Sequence, residues 1–219
     1  NGFDLMNEEH IPQSFLIETF LPEKGTCIYY GNYGSGKTTF ARELEALLPS
    51  AAVVHMDHFD NYTEADPQTI QRWFLNGANA DEMELPHTVR ALESLSSGLS
   101  VKDPQTHEVI KPAEIIFLES PFGYEQSRLG ELIDGLVWLD TPADICLARK
   151  CLQLLNNTKV DGGIQMLSWL QTYLDNYLLF VAELAVVQRD RIYPSADVTI
   201  SITDSPQERL QKVLSIISD

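Results

Sequence analysis

The sequence predicts an α/β fold, a parallel five-stranded sheet flanked by helices, and three observations predict it. Five short runs are apolar almost without interruption: Thr26–Tyr30, Ala51–Met56, Ala113–Glu119, Gly135–Asp140 and Ala196–Ile202. Strands of that kind are buried on both faces, as in a parallel sheet covered by helices above and below. Helical patterns lie between the runs, so strands and helices alternate, with right-handed crossovers as the default connection. Finally, the first run passes through a glycine-rich loop directly into the helical run Thr39–Leu48.

Taken in order, the elements carry their own boundaries. The opening residues NGFDLMNEEHIPQ show neither a basic stretch nor an apolar core, so no secretory signal is expected. Asp66-Pro67, Thr141-Pro142 and Ser205-Pro206 each place a capping side chain before a proline suited to a first helical turn. Glu208 stands three residues after Ser205 and completes a capping box, and Asp144 is a shorter analogue after Thr141. Gly98–Ile110 breaks the alternation and reads as a small hairpin turning at Asp103-Pro104. Ile164–Arg189 reads as a long helix whose Met166, Leu170, Tyr173, Tyr177 and Leu184 recur at helical spacing and form a core stripe.

Composition narrows the function. Lys and Arg number 15 against 32 Asp and Glu, a net charge of −17, while 44% of residues are hydrophobic and 21% charged. A globular core is expected, and disorder is excluded. A broad basic face is absent, which excludes nucleic acid and anionic membranes as its partners. No segment reaches the roughly 18 uninterrupted apolar residues of a membrane span. Cys27, Cys146 and Cys151 lack metal-ligand spacing and read as reduced thiols of a cytoplasmic protein. Any phosphate must therefore be held by a local device.

That device is legible in GNYGSGKT, Gly31 to Thr38, which satisfies G-x-x-x-x-G-K-[ST] between a strand and a helix. Gly31, Gly34 and Gly36 let the backbone curl so that successive N–H groups, with those of Asn32, Tyr33 and Ser35, face one point. The helix that begins near Thr39 adds its positive end there. Lys37 supplies a mobile charge for the β- and γ-phosphates, and Thr38 offers a hydroxyl to Mg²⁺. Distant carboxylates do not defeat this arrangement, because salt screens charges beyond about 8 Å. ATP and Mg²⁺ are the expected ligands.

A parallel sheet delivers the carboxyl ends of its strands to one edge, where ligands bind. Asp57, Glu119 and Asp140 stand at such ends. One acid near the phosphates can hold Mg²⁺ or its waters, and another can take a proton from an attacking hydroxyl. Glu119 follows four apolar residues, whereas Asp57 precedes the loop residues His58-Phe59-Asp60 and is better placed to meet a second substrate. Asp140 reads as structural, since Thr141-Pro142 begins a helix there.

Together these residues resemble the uridine kinase family of P-loop kinases, which also contains phosphoribulokinase and pantothenate kinase relatives. GNYGSGKTT resembles the family's phosphate loop, and Met56-Asp57-His58-Phe59 its Asp-x-Phe motif, whose Asp is the catalytic base. Gly98–His107 resembles the hairpin that covers the nucleoside, Asp140–Lys150 the strand and helix leading to the lid, and Tyr193–Asp197 the segment near the adenine. The resemblance implies a P-loop NTPase fold with sheet order 2-3-1-4-5, a hairpin at 98–110 and a helical lid at about 149–163, within one domain spanning 1–219. It further implies ATP-dependent transfer of a phosphoryl group to a small-molecule hydroxyl, a nucleoside such as uridine or cytidine being the leading acceptor. Asp57 and Lys37 would act in catalysis with Arg149 and Lys150, and Thr38, Asp57 and Glu119 would hold the metal. Asp57, Phe59, Asp81, His107 and Glu119 would meet the acceptor.

The chain departs from the family in its lid, where Arg149-Lys150, Gln153 and Lys159 replace a fuller set of arginines; Arg189 and Arg191 are candidate substitutes. Lys does not reproduce the bidentate fork of Arg. A sugar phosphate or a pantothenate-like alcohol remains an alternative acceptor, and a nucleotide-driven switch or ATPase an alternative function. Thr158-Lys159-Val160-Asp161 resembles a guanine-reading sequence but follows a helical run rather than a strand. The sequence leaves open whether the chain acts alone or as a homo-oligomer.

Overall fold

The computed structural model describes residues 25–30, 35–48, 50–60, 67–157 and 163–217, with backbone alone for 25–30, 67, 157, 163–166 and 217. Gly31, Asn32, Tyr33, Gly34, Asp66 and Thr158–Asp161 lie outside the described residues. Five strands form one parallel sheet: β1 (Gly25–Tyr30), β2 (Ala51–His55), β5 (Ile115–Glu119), β6 (Gly135–Asp140) and β7 (Val198–Ser201). The sheet runs β2-β5-β1-β6-β7, which reads 2-3-1-4-5 when its strands are counted along the chain. Between β2 and β5 lies a two-stranded antiparallel hairpin, β3 (Val101–Lys102) and β4 (Val109–Ile110), where the hairpin of Gly98–Ile110 is expected.

The near-continuous apolar runs have a simple cause: successive residues of one strand enter two different cores. Val53, Ile115, Phe117, Val137, Leu139 and Ile200 face one side. There they meet Phe40, Ala41 and Leu44 of helix α1 (Lys37–Leu47) and Val213 near the chain's end. Ala52, Val54, Ile116, Leu118, Leu136 and Trp138 face the other side. Their partners are Trp73, Leu92, Leu95, Leu184 and Ile192. Phe117, Leu118 and Trp138 are essentially fully buried. Removing so large a side chain from a close-packed interior costs about 3–5 kcal/mol.

Further helices pack around the sheet: α2 (Met56–Phe59), α3 (Pro67–Leu75), α4 (Pro86–Ser96), α5 (Ser127–Gly130), α6 (Ala143–Asn157) and α7 (Gly163–Asn176). After α7 the chain makes a π-helical turn over Tyr177–Val181 and continues as α8 (Ala182–Ile192), and α9 spans Pro206–Ile217. The long helix therefore extends past both expected ends and is interrupted by a wider turn. Of its expected core stripe, Leu184 is buried, while Leu170, Tyr173 and Tyr177 are half-buried. Among the described residues no helix is long and apolar enough to cross a membrane.

Capping follows expectation at one end and departs from it at another. Ser205 and Glu208 form the reciprocal box: the Ser205 N–H donates to Glu208 Oε2 at 2.7 Å and the Glu208 N–H to Ser205 Oγ at 3.3 Å. Thr141 does something else. Its hydroxyl donates to the Ser35 carbonyl at 2.9 Å, tying the start of α6 to the phosphate loop.

Candidate active site

The carboxyl ends of β2, β5, β1 and β6 converge on the N-terminus of α1, and the chemistry gathers there. Gly36 caps that helix with φ 103, a left-handed conformation that glycine adopts without steric cost. Among the described residues no side chain caps the helix, and no acid occupies its first turn, so its positive end is open to an anion. Ser35 Oγ is buried and, among the described residues, has no partner. The Ser35 carbonyl accepts from Thr141 and, at 3.2 Å, from Arg149 Nη1. These features of Ser35, Gly36 and the helix start fit a phosphate group at the N-terminus of α1.

Two cavities flank the α1 N-terminus. On the β2–β5 side a cleft of about 590 Å³ is lined by Lys37, Thr38, Arg42, Glu45, His55, Asp57, His58, Thr106, Glu108, Glu119, Lys150 and Gln153, among others. On the β6–β7 side a cavity of about 300 Å³ is lined by Thr39, Phe40, Glu43, Leu139, Arg149, Ile200, Ile202 and Arg209, among others. Of the expected site residues, the cleft brings together Lys37, Thr38, Asp57, Glu119 and Lys150. Ser35, Gly36, Thr39 and Arg149 lie on the opposite side.

Mutual electrostatics shape the cleft. Burial lowers the Lys37 pKa below its ordinary value, against the opposing pull of Glu119 and then Asp57. Asp57 opens onto the cleft, yet desolvation raises its pKa; Lys37 counters this, and Glu119 adds to it. Lys150 is lowered by burial, with Asp57 opposing. A carboxylate raised in this way holds a proton more readily than a free one, as proton transfer requires.

Glu119 is not a solitary metal carboxylate. His55 and Glu119 are register partners on β2 and β5, and His55 Nδ1 lies 2.6 Å from Glu119 Oε2. Burial works to lower the His55 pKa, but the hydrogen bond and charge of Glu119 raise it overall. One Glu119 oxygen is thereby committed to a histidine that the sequence did not single out. A second pair joins His58 Nδ1 to Asp103 Oδ2 at 2.7 Å, and the two imidazole rings lie 4.8 Å apart.

Several expected contacts are corrected. Asp81 does not line the cleft: its carboxylate accepts from the Ser127 N–H at 2.7 Å and the Ser127 hydroxyl at 2.8 Å, at the start of α5. His107 occupies a left-handed turn position with φ 63, and its neighbours Thr106 and Glu108 line the cleft instead. Phe59 packs against the apolar core rather than the cleft. Arg149 and Lys150 do not form one cationic clamp, since the first binds the Ser35 carbonyl while the second donates to Gln153 at 3.2 Å and lines the cleft with Asp57. Both stand within α6, at the point where the lid was expected to begin.

Tyr193–Asp197 precedes β7 and so lies at the opposite edge of the sheet from the phosphate loop. Asp197 accepts there from the Leu136 N–H at 2.7 Å and the Tyr124 hydroxyl at 3.2 Å. Ser201 and Ile202, at the other end of β7, line the cavity near α1. Arg189 Nη2 lies 3.9 Å from Asp140, and Arg191 donates to the carbonyls of Ala78 and Gly77.

Sequence reasoning missed His55, His58, Glu108 and the Glu43–Arg209 pair, whose Arg209 Nη1 donates to both carboxylate oxygens at 3.1 and 2.9 Å. His58 sat inside a motif already singled out. Nothing in the sequence tied it to Asp103, which is 45 residues away.

Comparison with known proteins settles the family. The profile of the phosphoribulokinase/uridine kinase family matches residues 29–153, more than half of the chain. The chain belongs to that family. It is 25% identical over 156 residues to a uridine kinase of Clostridium perfringens, covering 66% of this chain and 73% of the relative. It is 26% identical over 183 residues to a uridine kinase of Saccharomyces cerevisiae, covering 75% of this chain and 36% of that longer protein. Among solved structures, a Silicibacter sp. TM1040 protein described as a fructose transport system kinase superposes with TM-score 0.50 at 18% identity, over 86% of this chain and 96% of that one. The last similarity concerns fold alone. This phosphoribulokinase/uridine kinase family member is a P-loop small-molecule kinase with an α/β fold.

Proposed function

We propose that the protein transfers the γ-phosphoryl group of ATP to a hydroxyl of a neutral small molecule, with a nucleoside such as uridine or cytidine as the acceptor. The observation that carries this reading is the single cleft in which Lys37, Asp57 and Lys150 interact beside the α1 N-terminus. The loop amides, the helix end and Lys37 hold the terminal phosphates. The nucleobase occupies the β6–β7 cavity, between the apolar Phe40, Leu139, Ile200 and Ile202 and the Glu43–Arg209 pair. Thr38, Asp57 and Glu119 are the residues that would hold Mg²⁺, which when bound offsets charge on the β- and γ-oxygens.

The acceptor lies in the β2–β5 cleft with its hydroxyl toward Asp57. Its oxygen attacks the γ-phosphorus, the hydroxyl proton passes to Asp57, and the bond to the ADP oxygen breaks. Lys150 offsets charge as transfer proceeds, while Arg149 steadies the loop through Ser35. Such a reaction depends mainly on position and electrostatics, which a few fixed groups supply. Of the lid expected at about 149–163, residues 149–157 belong to α6 and 158–162 lie outside the described residues.

Charge argues for a neutral acceptor over a sugar phosphate. Glu45, Asp57, Glu108 and Glu119 line the cleft beside Lys37, Arg42 and Lys150, and Lys37 already serves the nucleotide. The test is an ADP-formation screen over uridine, cytidine, sugar phosphates and pantothenate, with Lys37→Ala as control. Nucleoside-dependent ADP formation is the expected result. ADP formed equally without any acceptor makes the protein an ATPase or switch. Absence of heat on titrating Mg-ATP and Mg-GTP into folded protein removes the nucleotide site altogether.

A further inference from the structure

The turn of the hairpin is organised by one buried carboxylate. Asp103 is 4% exposed. Its Oδ1 accepts from the N–H groups of Gln105 at 2.8 Å and Thr106 at 2.9 Å, while its carbonyl accepts from the His107 N–H at 3.0 Å. The other oxygen, Oδ2, is the partner of His58 Nδ1. Burial pushes the Asp103 pKa up, but His58 and the two turn amides more than offset it, so the carboxylate stays charged.

A hairpin of two residues per strand is not stable alone and takes its position from what it touches. Val101 and Ile110 rest against the apolar core, and Asp103 reaches His58. His58 follows Asp57 on the single-turn helix α2. One carboxylate thus holds the turn that carries the base and the turn that carries Thr106 and Glu108. Such a connected network fixes relative position more firmly than its bonds would separately.

We propose that the Asp103–His58 pair is a positioning device that locks the hairpin to the Asp57 turn, and that it holds Glu108 where its carboxylate accepts hydrogen bonds from acceptor hydroxyls. This rests on the β2–β5 cleft being the acceptor site. Glu108 is a further binding residue, whereas Asp103 and His58 act through the groups they place.

The test combines amide hydrogen exchange of residues 101–110 in unliganded protein with separate KM values for uridine and Mg-ATP. Asp103→Asn and His58→Phe should speed exchange at Gln105 and Thr106. They should also raise the uridine KM roughly 10- to 100-fold, the loss expected for a hydrogen bond to a charged group, while the Mg-ATP KM stays within about two-fold. His58→Gln retains an N–H donor and should recover part of the loss. Glu108→Gln should raise the uridine KM and leave exchange unchanged.

An unchanged uridine KM in His58→Phe overturns the proposal, as does a parallel rise in both KM values. Should Asp103→Asn fail to fold, the His58 and Glu108 variants decide the matter. If wild-type protein binds Mg-ATP but phosphorylates no acceptor, the kinase reading fails and the assignment of Glu108 falls with it. The lock is then judged by exchange alone, and unchanged exchange in His58→Phe removes it too.

Discussion

The two cavities beside α1 share a phosphate loop but offer opposite surfaces. The β6–β7 cavity is walled by Phe40, Leu139, Ile200 and Ile202, with one ion pair at its side. The β2–β5 cleft is walled by charges and imidazoles that perturb one another's ionisation. Apolar walls suit a flat base held by contact, and charged walls suit hydroxyls that must be oriented and deprotonated. Arg149 and Lys150 show how sharply the division falls. Consecutive side chains on an α-helix diverge by about 100°, so neighbours on α6 serve different cavities.

Mutations can break that division in order of expected effect. Lys37 opens the helix that both cavities flank and lines the β2–β5 cleft, so Lys37→Ala should lower kcat by about 10³ or more while circular dichroism shows an intact fold. Asp57 lines the β2–β5 cleft and not the β6–β7 cavity, and Asp57→Asn should slow turnover by about 10²–10⁴ with the affinity for ATP measured without Mg²⁺ by calorimetry unchanged. An equal loss of ATP affinity in that variant would erase the distinction between the compartments.

Arg209 sharpens the contrast from the other side. Arg209→Gln removes its ion pair with Glu43, and the Mg-ATP KM should rise about five-fold, roughly 1 kcal/mol, with the acceptor KM unmoved. The smallest effect is on pH dependence. Asp57 must be ionised to take a proton, and its pKa in the folded protein is raised. Activity should therefore fall on acidification at a pH above the ordinary Asp value of about 3.9, seen as the acid limb of kcat/KM. A limb at or below that value would show that the base is not desolvated.

Stability offers an independent check on the acceptor side. Asp60 ends α2 and caps α4: its carboxylate accepts from the Thr88 N–H at 2.7 Å, the Thr88 hydroxyl at 2.6 Å and the His87 N–H at 3.4 Å, and its Oδ1 lies 2.8 Å from His87 Nδ1. Burial raises its pKa, but these bonds lower it overall. A depressed carboxylate contributes stability that is present above its unfolded pKa and lost as pH falls through the folded one. Asp60→Ala should cost about 1–3 kcal/mol in denaturant unfolding at neutral pH, and the difference from wild type should shrink below about pH 3.9.

The sheet was legible because its cause is local. Each strand is a short apolar run, and each run found its place within a few residues of its expected ends. The phosphate motif was legible for the same reason, since its glycines, Lys37 and Thr38 are contiguous. The acceptor contacts were not. Asp81 looked suitable by position along the chain, but a serine 46 residues away takes up its carboxylate. His107 looked suitable by residue type, yet the backbone of a turn points its neighbours into the cleft.

The sequence alone therefore determined the α/β alternation, the phosphate loop and the carboxylates at the strand ends, because periodicity and contiguous motifs act over a few residues. Only the tertiary structure decided the partners: Glu119 with His55, Asp103 with His58, Arg149 with Ser35, and Arg149 and Lys150 apart. Those choices depend on strand register and on where distant turns come to rest. Side chains 45 or 64 residues apart acquire a shared chemistry only when packing brings them within hydrogen-bonding distance.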